Sequence, residues 1–314
     1  MKQEIARIEK KYGIKLDSTQ QEVLSNLIDF VNGNEHTICI KAKAGTGKSL
    51  ILSMLYDILD DYNYSVAFIT PTNKSKIVIS GKGDNSRKAL TIHALLNLRP
   101  NLDIMDFDAS QLSFDFPEWC RSNSGQYDVL LIDECSMIND FLYDTLCKVF
   151  PNTRLIFSGD ESQLAPIKQA SPSKSFNTRT LTLSKIYRQP ESKIYKVLEY
   201  LRNKPIYHFK EISDENGNII ICNDITKMID KYSYLFKVAA NFKDFNLAKM
   251  ITYTNKRISA LNQIIRKKLY SDDVEYHEGE VLTGYDTCSC GLRRIENSKD
   301  YLVKSVIPSV YATP

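Results

Sequence analysis

No apolar run in this sequence approaches the ~18 residues that a membrane-spanning helix needs. The first residues, MKQEIARIEKKYGIK, lack the apolar centre of a secretory signal. Charge of one sign is missing too: 41 basic against 38 acidic residues leave a net charge of +3. That excludes a global basic field, so any nucleic-acid site must be local. The seven cysteines have neither the even count nor the spacing of a disulfide framework, and free thiols in a reducing compartment are expected. Low-complexity tracts and short-period repeats are absent. What is there, 43% hydrophobic and 25% charged residues over 314 positions, is the profile of a globular protein with room for about two domains. A cytoplasmic setting is expected, with no membrane partner.

Four short β-rich runs stand out: His36–Ala42, Ser65–Thr70, Tyr127–Asp133 and Thr153–Ser158. Helical spacing of apolar residues follows the first and third, over Lys48–Leu59 and Met137–Phe150. Strands apolar on both faces with helices between them predict an α/β fold around a parallel sheet, with functional residues at the carboxyl ends of the strands. Between Asn97 and Gln126 the pattern alternates around Asp108-Ala109-Ser110-Gln111, which predicts an inserted hairpin. Ser171–Asn177 reads as a loop. A second α/β unit is expected from about Leu247, because Met250-Ile251-Thr252-Tyr253-Thr254-Asn255-Lys256 echoes Phe68-Ile69-Thr70-Pro71-Thr72-Asn73-Lys74. Both read as a strand end, a Thr-Asn-Lys turn and a helix, the second helix over about Arg257–Tyr270.

The segment AKAGTGKS, residues 42–49, follows a predicted strand and opens a predicted helix, the setting of a phosphate-binding P-loop. Backbone N–H groups of Ala44, Gly45, Thr46 and Gly47 can wrap phosphates, and the helix N-terminus adds positive potential. Lys48 is expected on the β- and γ-phosphates, with the Ser49 hydroxyl on Mg²⁺. Asp133 and Glu134 end a buried strand, Asp133 to hold the magnesium and Glu134 to deprotonate the attacking water. Gln163, in Gly159-Asp160-Glu161-Ser162-Gln163, can touch both γ-phosphate and water. Farther on, Arg188 is a candidate arginine finger and Tyr187 a candidate platform for the base.

In this order and spacing the segments resemble the superfamily 1 helicases, most closely the RecD/Dda-like branch that moves 5′ to 3′ on single-stranded DNA. Leu16-Asp17-Ser18-Thr19-Gln20 is similar to the adenine-reading Q motif, with Gln20 as reader, and the family accepts Ala42 at the start of the P-loop. The resemblance implies DNA-backbone contacts at Pro71, Thr72, Asn73, Thr91 and His93, and at Thr254 and Asn255 in the second motor domain. It places a strand-separating pin at the hairpin, where Phe107, Phe114 and Trp119 either stack at the fork or form the hairpin's own small core. His93 is either a base face or a structural hydrogen-bonder. The implied organisation is a RecA-like ATP-binding domain over 1–181 with the insert at about 97–126, then a partial second RecA-like domain over 182–314. The implied activity is ATP hydrolysis, with ATP and Mg²⁺ as cofactors, driving movement on single-stranded DNA. A phage or mobile-element source fits this character.

The family continues with an SH3-like insertion, a Thr-x-His-x-x-Gln-Gly segment and a Thr-Arg motif, and nothing after Tyr270 resembles them. Three alternatives stay open: a truncated product, completion by a second polypeptide, or a nucleotide site kept for another use. Cys288-Ser289-Cys290 with His277 nearby matches no usual zinc spacing and reads as a loop with free thiols.

Overall fold

The structure is a computed structural model that describes residues 2–73, 75, 87–96, 125–166, 169, 171–187, 193–203, 211–215, 217–241, 247–270, 274–284, 288–290 and 293–306. The expected pin with Phe107, Phe114 and Trp119, and the candidate finger Arg188, lie outside the described residues. The chain divides into two compact units, Met1–Lys204 and Pro205–Pro314.

The first unit opens with helices α1 (Lys2–Tyr12) and α2 (Ser18–Asn32), then β1 (Thr37–Ala42), α3 (Lys48–Asp61), β2 (Val66–Thr70), β3 (Ala89–Thr91) and α4 (Ile92–Leu95). It continues through β4 (Val129–Ile132), α5 (Asp140–Val149), β5 (Arg154–Gly159), β6 (Arg179–Leu183) and α6 (Lys193–Asn203). The six strands form one sheet in the order β3-β2-β4-β5-β1-β6. Every pairing in it is parallel. The predicted α/β class and all four predicted strands are therefore present. The sequence reading put the domain boundary at 181/182, which falls inside β6. That strand is hydrogen-bonded along β1, Leu181 beside Ile40, so it travels with the first sheet.

Two cores form because strand side chains alternate between faces. Ile38, Ile40, Leu131 and Ile156 face one way, against Leu24, Leu27 and Phe30 of α2 and Ile51, Leu52 and Leu55 of α3. Cys39, Leu130, Ile132, Leu155 and Phe157 face the other, against Leu95, Leu146 and Phe150. A sheet covered on both faces needs apolar residues at successive positions, which is why the strands read as unbroken apolar runs. The cover on one face includes the two N-terminal helices. In α2 a capping box starts the helix, the Asp17 side chain accepting from Gln20 N and the Gln20 side chain from Asp17 N.

The second unit contains β7 (Ile212–Asp214), β8 (Gly217–Ile219), α7 (Ile225–Tyr232), α8 (Tyr234–Asn241), α9 (Asn255–Leu269), β9 (Val281–Thr283), β10 (Cys288–Cys290), β11 (Arg293–Ile295) and β12 (Asp300–Leu302). Its described strands make three antiparallel pairs, β7 with β8, β9 with β12 and β10 with β11. A small core joins Ile229 of α7 to Leu261 and Ile265 of α9. The expected helix is present as α9, but the expected strand end at Met250–Thr252 is not a strand. No strand among the described residues pairs with it, and Ile251 and Tyr253 are 91% and 97% exposed. An extended segment without a partner leaves its ladder groups to water. Cys288–Cys290, expected as a loop, is a strand of the β10–β11 hairpin. Among the described residues no helix is long and apolar enough to cross a membrane.

Candidate functional site: a phosphate loop beside two carboxylates

Three strand ends assemble the site. β1 runs into the glycine loop, β4 into Asp133-Glu134, and β5 into Gly159-Asp160. Because β5 lies between β1 and β4, the loop and the carboxylates come from strands separated by one neighbour. Gly47, at the N-cap of α3, has φ +90°, and Gly45 has φ +84°, a region that side chains other than glycine avoid. A Cβ on Gly47 would also stand 2.6 Å from Gln20 Nε2. Thr46 is buried, and its hydroxyl donates to Lys43 O at 2.8 Å, so it shapes the loop from within. The first-turn N–H groups of α3, from Lys48 onward, have no intrahelical acceptor. Ala44 departs from expectation: its N–H donates to Asp160 Oδ2 at 3.1 Å, which ties the loop to the end of β5.

Lys48 Nζ lies 3.1 Å from Asp133 Oδ1 and 3.6 Å from Glu134 Oε1. Burial works to lower the Lys48 pKa, but the two carboxylates outweigh it and hold it above the usual lysine value. Asp133 is buried, and its Oδ1 also accepts from Ser158 Oγ at 3.1 Å and Glu134 N at 2.9 Å. Burial pushes the Glu134 carboxyl up; Lys48 pulls it back, while Asp133 adds to the rise. Glu134 itself sits at φ +55°, ψ +41°, left-handed backbone that a non-glycine residue holds at a cost of about 1–3 kcal/mol. Such strain is typical of functional positions.

Asp160 is buried at the end of β5. Its Oδ1 accepts from Ser162 Oγ at 2.6 Å and Ser162 N at 3.1 Å, and its carbonyl accepts from Gln163 N at 3.0 Å. One residue thus shapes the Gln163 turn and grips the phosphate loop. Gln163 is exposed and shares an open hollow with Ser136 and Met137, just past Glu134. Ser49 is exposed on the first turn of α3. At the other end of the loop, Gln20 is buried and its Nε2 donates to Thr46 O at 3.2 Å. Tyr187 donates its backbone N–H to Gly45 O at 2.8 Å and its hydroxyl to Asp17. The structure therefore brings Gln20, the loop, Lys48, Asp133, Glu134, Gln163 and Tyr187 to one end of one sheet.

The expected nucleic-acid positions of the first unit form a second group. Thr91 ends β3 beside Thr70 of β2, from which Pro71-Thr72-Asn73 continues. Each expected threonine accepts a backbone bond three residues on: Thr72 from Ser75 N at 3.3 Å, Thr91 from Ala94 N at 3.1 Å, and Thr254, in the second unit, from Arg257 N at 3.2 Å. In Thr91 and Thr254 the capping oxygen accepts, which leaves its O–H able to donate to a phosphate oxygen. His93 is half-buried, and burial lowers its pKa, so the ring is neutral near pH 7. Thr254 and Asn255 are exposed. Sequence reasoning gave no role to Ser158 or Asp160. Ser158 reaches Asp133 only through strand neighbourhood, which no local pattern shows, whereas the Gly-Asp pair was visible as a turn.

A parallel sheet with a glycine loop at the head of a helix and an Asp-Glu pair two strands away defines the P-loop NTPase fold. The chain belongs to the AAA domain family, whose model matches residues 15–224. The ATP-dependent DNA helicase dda of Enterobacteria phage T4 is 23% identical over 278 residues, covering 85% of this chain and 60% of the relative. The ATP-dependent RecD2 DNA helicase of Deinococcus radiodurans is 27% identical over 185 residues, 58% of this chain and 23% of the relative. A crystal structure of Pif1 helicase from Bacteroides, in complex with ADP-AlF3 and ssDNA, shares the fold with a TM-score of 0.53. It is 16% identical, and the match covers 91% of this chain and 70% of that one. The resemblance to the RecD/Dda-like branch is borne out by these relatives. The chain spans less than two thirds of the length of the phage T4 and Deinococcus relatives.

Proposed function

We propose that this chain is the ATP-hydrolysing motor of a DNA helicase that moves 5′ to 3′ on single-stranded DNA. The observation that carries the proposal is the placement of Lys48, 3.1 Å from Asp133 and 3.6 Å from Glu134, at the head of a glycine loop. A lysine already pinned between carboxylates is held where the terminal phosphates of a bound nucleotide enter. Lys48 moves from the carboxylates to the β- and γ-phosphates, α3 presents its free N–H groups, and Gly45 and Gly47 let the backbone wrap. Glu134 takes the proton of the attacking water, and Gln163 senses the γ-phosphate from its Asp160-pinned turn. Arg188, next to the tethered Tyr187, supplies positive charge to the transition state.

Asp133 and Ser49 offer the oxygen donors that suit magnesium, and Asp133 is already oriented by Ser158. Held there, magnesium would supply positive charge against the phosphates. In the first unit Pro71, Thr72, Asn73, Thr91 and His93 hold the strand by hydroxyl, amide and ring contacts, which suits a net charge of only +3; Thr254 and Asn255 are proposed as the second unit's own backbone contacts. The relatives named for DNA helicase activity, and the Bacteroides protein held with ADP-AlF3 and ssDNA, support both ligands. The second unit is proposed as part of a second motor domain; the alternative proposal is a split motor that binds ATP and needs a second polypeptide for movement.

Direction is tested on two partial duplexes that differ only in whether the single-stranded tail is 5′ or 3′. Strand separation is expected with ATP and a 5′ tail. Separation from the 3′ tail alone contradicts the assigned direction.

A further inference from the structure

We propose that Asp17 is the positioning residue for the base end of the nucleotide site. Its single carboxylate holds in register Gln20 and Tyr187, the two side chains expected at the base from the sequence and its helicase resemblance. The inference rests on reading the glycine loop as an ATP site and adds to it the group that sets base affinity.

The two carboxylate oxygens have separate tasks. Oδ1 accepts from Gln20 N at 2.8 Å and caps α2. Gln20 answers with Oε1 to Asp17 N at 3.2 Å and Nε2 to Thr46 O at 3.2 Å, so its amide is oriented at both ends. Oδ2 accepts from the Tyr187 hydroxyl. Tyr187 is also fixed at its backbone, where N donates to Gly45 O at 2.8 Å. The ring thus spans from phosphate loop to helix cap, held at both ends while the residue stays 48% exposed. Lys185 guards the rim, 4.0 Å from Asp17 and 5.1 Å over the Tyr187 ring. The Tyr187 hydroxyl, followed by the Gln20 backbone N–H, holds the Asp17 carboxyl below its ordinary value.

A serine or asparagine caps a helix nearly as well as aspartate. Serine has only one oxygen on a shorter arm, so it cannot serve cap and tyrosine together. A ring tethered before the nucleotide arrives loses less freedom on binding, and the gain appears in affinity rather than in chemistry.

Asp17→Ser keeps a cap oxygen and drops the second arm; Tyr187→Phe keeps the ring and drops the hydroxyl. ATP turnover is measured for wild type, both variants and the double variant, with competition by ATP and by pyrophosphate against a fluorescent ATP analogue. Each single variant is expected to raise KM for ATP about 3- to 10-fold, with kcat within about two-fold. Pyrophosphate affinity stays put, and the double variant is no worse than either single because one bond is shared. Unchanged KM in both variants, with an active wild type and an inactive Lys48→Ala, overturns the proposal and leaves the ATP site standing. Parallel loss of ATP and pyrophosphate affinity overturns it too, because Asp17 would then act only as a cap. A wild type that binds no nucleotide overturns both.

Discussion

Glu134→Gln is expected to keep nucleotide binding and to lose turnover, with kcat falling by about 10²–10⁴-fold, the usual worth of a general base. The amide fills the same space and accepts one hydrogen bond, but it cannot take a proton from water. Binding survives because the proposed grip on the phosphates comes from Lys48 and the head of α3. The pH profile carries the second half of the prediction. Burial raises the Glu134 carboxyl above its ordinary value despite Lys48 beside it. A general base works only when ionised, so activity is lost as pH falls through that raised pKa. The acid limb of kcat/KM, which reports the nucleotide-free protein, therefore lies at higher pH than an ordinary carboxylate would give, and it disappears from the residual rate of Glu134→Gln. Single-turnover hydrolysis at subsaturating ATP across the acid range checks both. Turnover in the variant within about three-fold of wild type removes Glu134 from the chemistry.

Gly47→Ala has the next largest expected effect, because two independent costs meet at one atom. Its φ of +90° puts an alanine in left-handed backbone at about 1–2 kcal/mol. The new Cβ, 2.6 Å from Gln20 Nε2, also makes the end of that side chain shift. The shift puts at stake the bond from Gln20 Nε2 to Thr46 O, worth about 0.5–1.5 kcal/mol. Together these predict a loss of about 1.5–3.5 kcal/mol in stability of the first unit and at least about a ten-fold loss of ATP affinity. Denaturant unfolding followed by nucleotide titration measures the two separately. A variant that melts and binds like wild type means that the loop adopts another conformation.

The first sheet was legible in the sequence because its strands are buried on both faces. Runs such as Val129–Ile132 leave no other reading once a glycine loop follows one such strand and an Asp-Glu pair follows another. Lys48, Asp133 and Glu134 were legible for the same reason: strand ends gather wherever the connections go. The first helices were less visible. α1 is mostly charged and buries only Ile5 and Ile8, while α2 announces itself mainly through the Asp17–Gln20 capping box, read as a nucleotide motif alone. β6 was hidden because Arg179 and Thr180 are exposed and only Leu183 is buried, the pattern of a sheet edge. The echo at Met250–Lys256 shows the limit of local similarity. Its turn chemistry recurs, Thr254 capping as Thr72 does, but a strand needs a neighbour as well as a β-prone sequence. Bonds across the fold, such as Tyr187 to Asp17 and Ala44 to Asp160, have no sequence signature at all.

Steady-state ATP hydrolysis by this chain, with and without single-stranded DNA and with Lys48→Ala as the blank, tests the central claim most directly. The account predicts turnover that DNA stimulates strongly and that vanishes in the blank. ATP binding with turnover indifferent to DNA would contradict it.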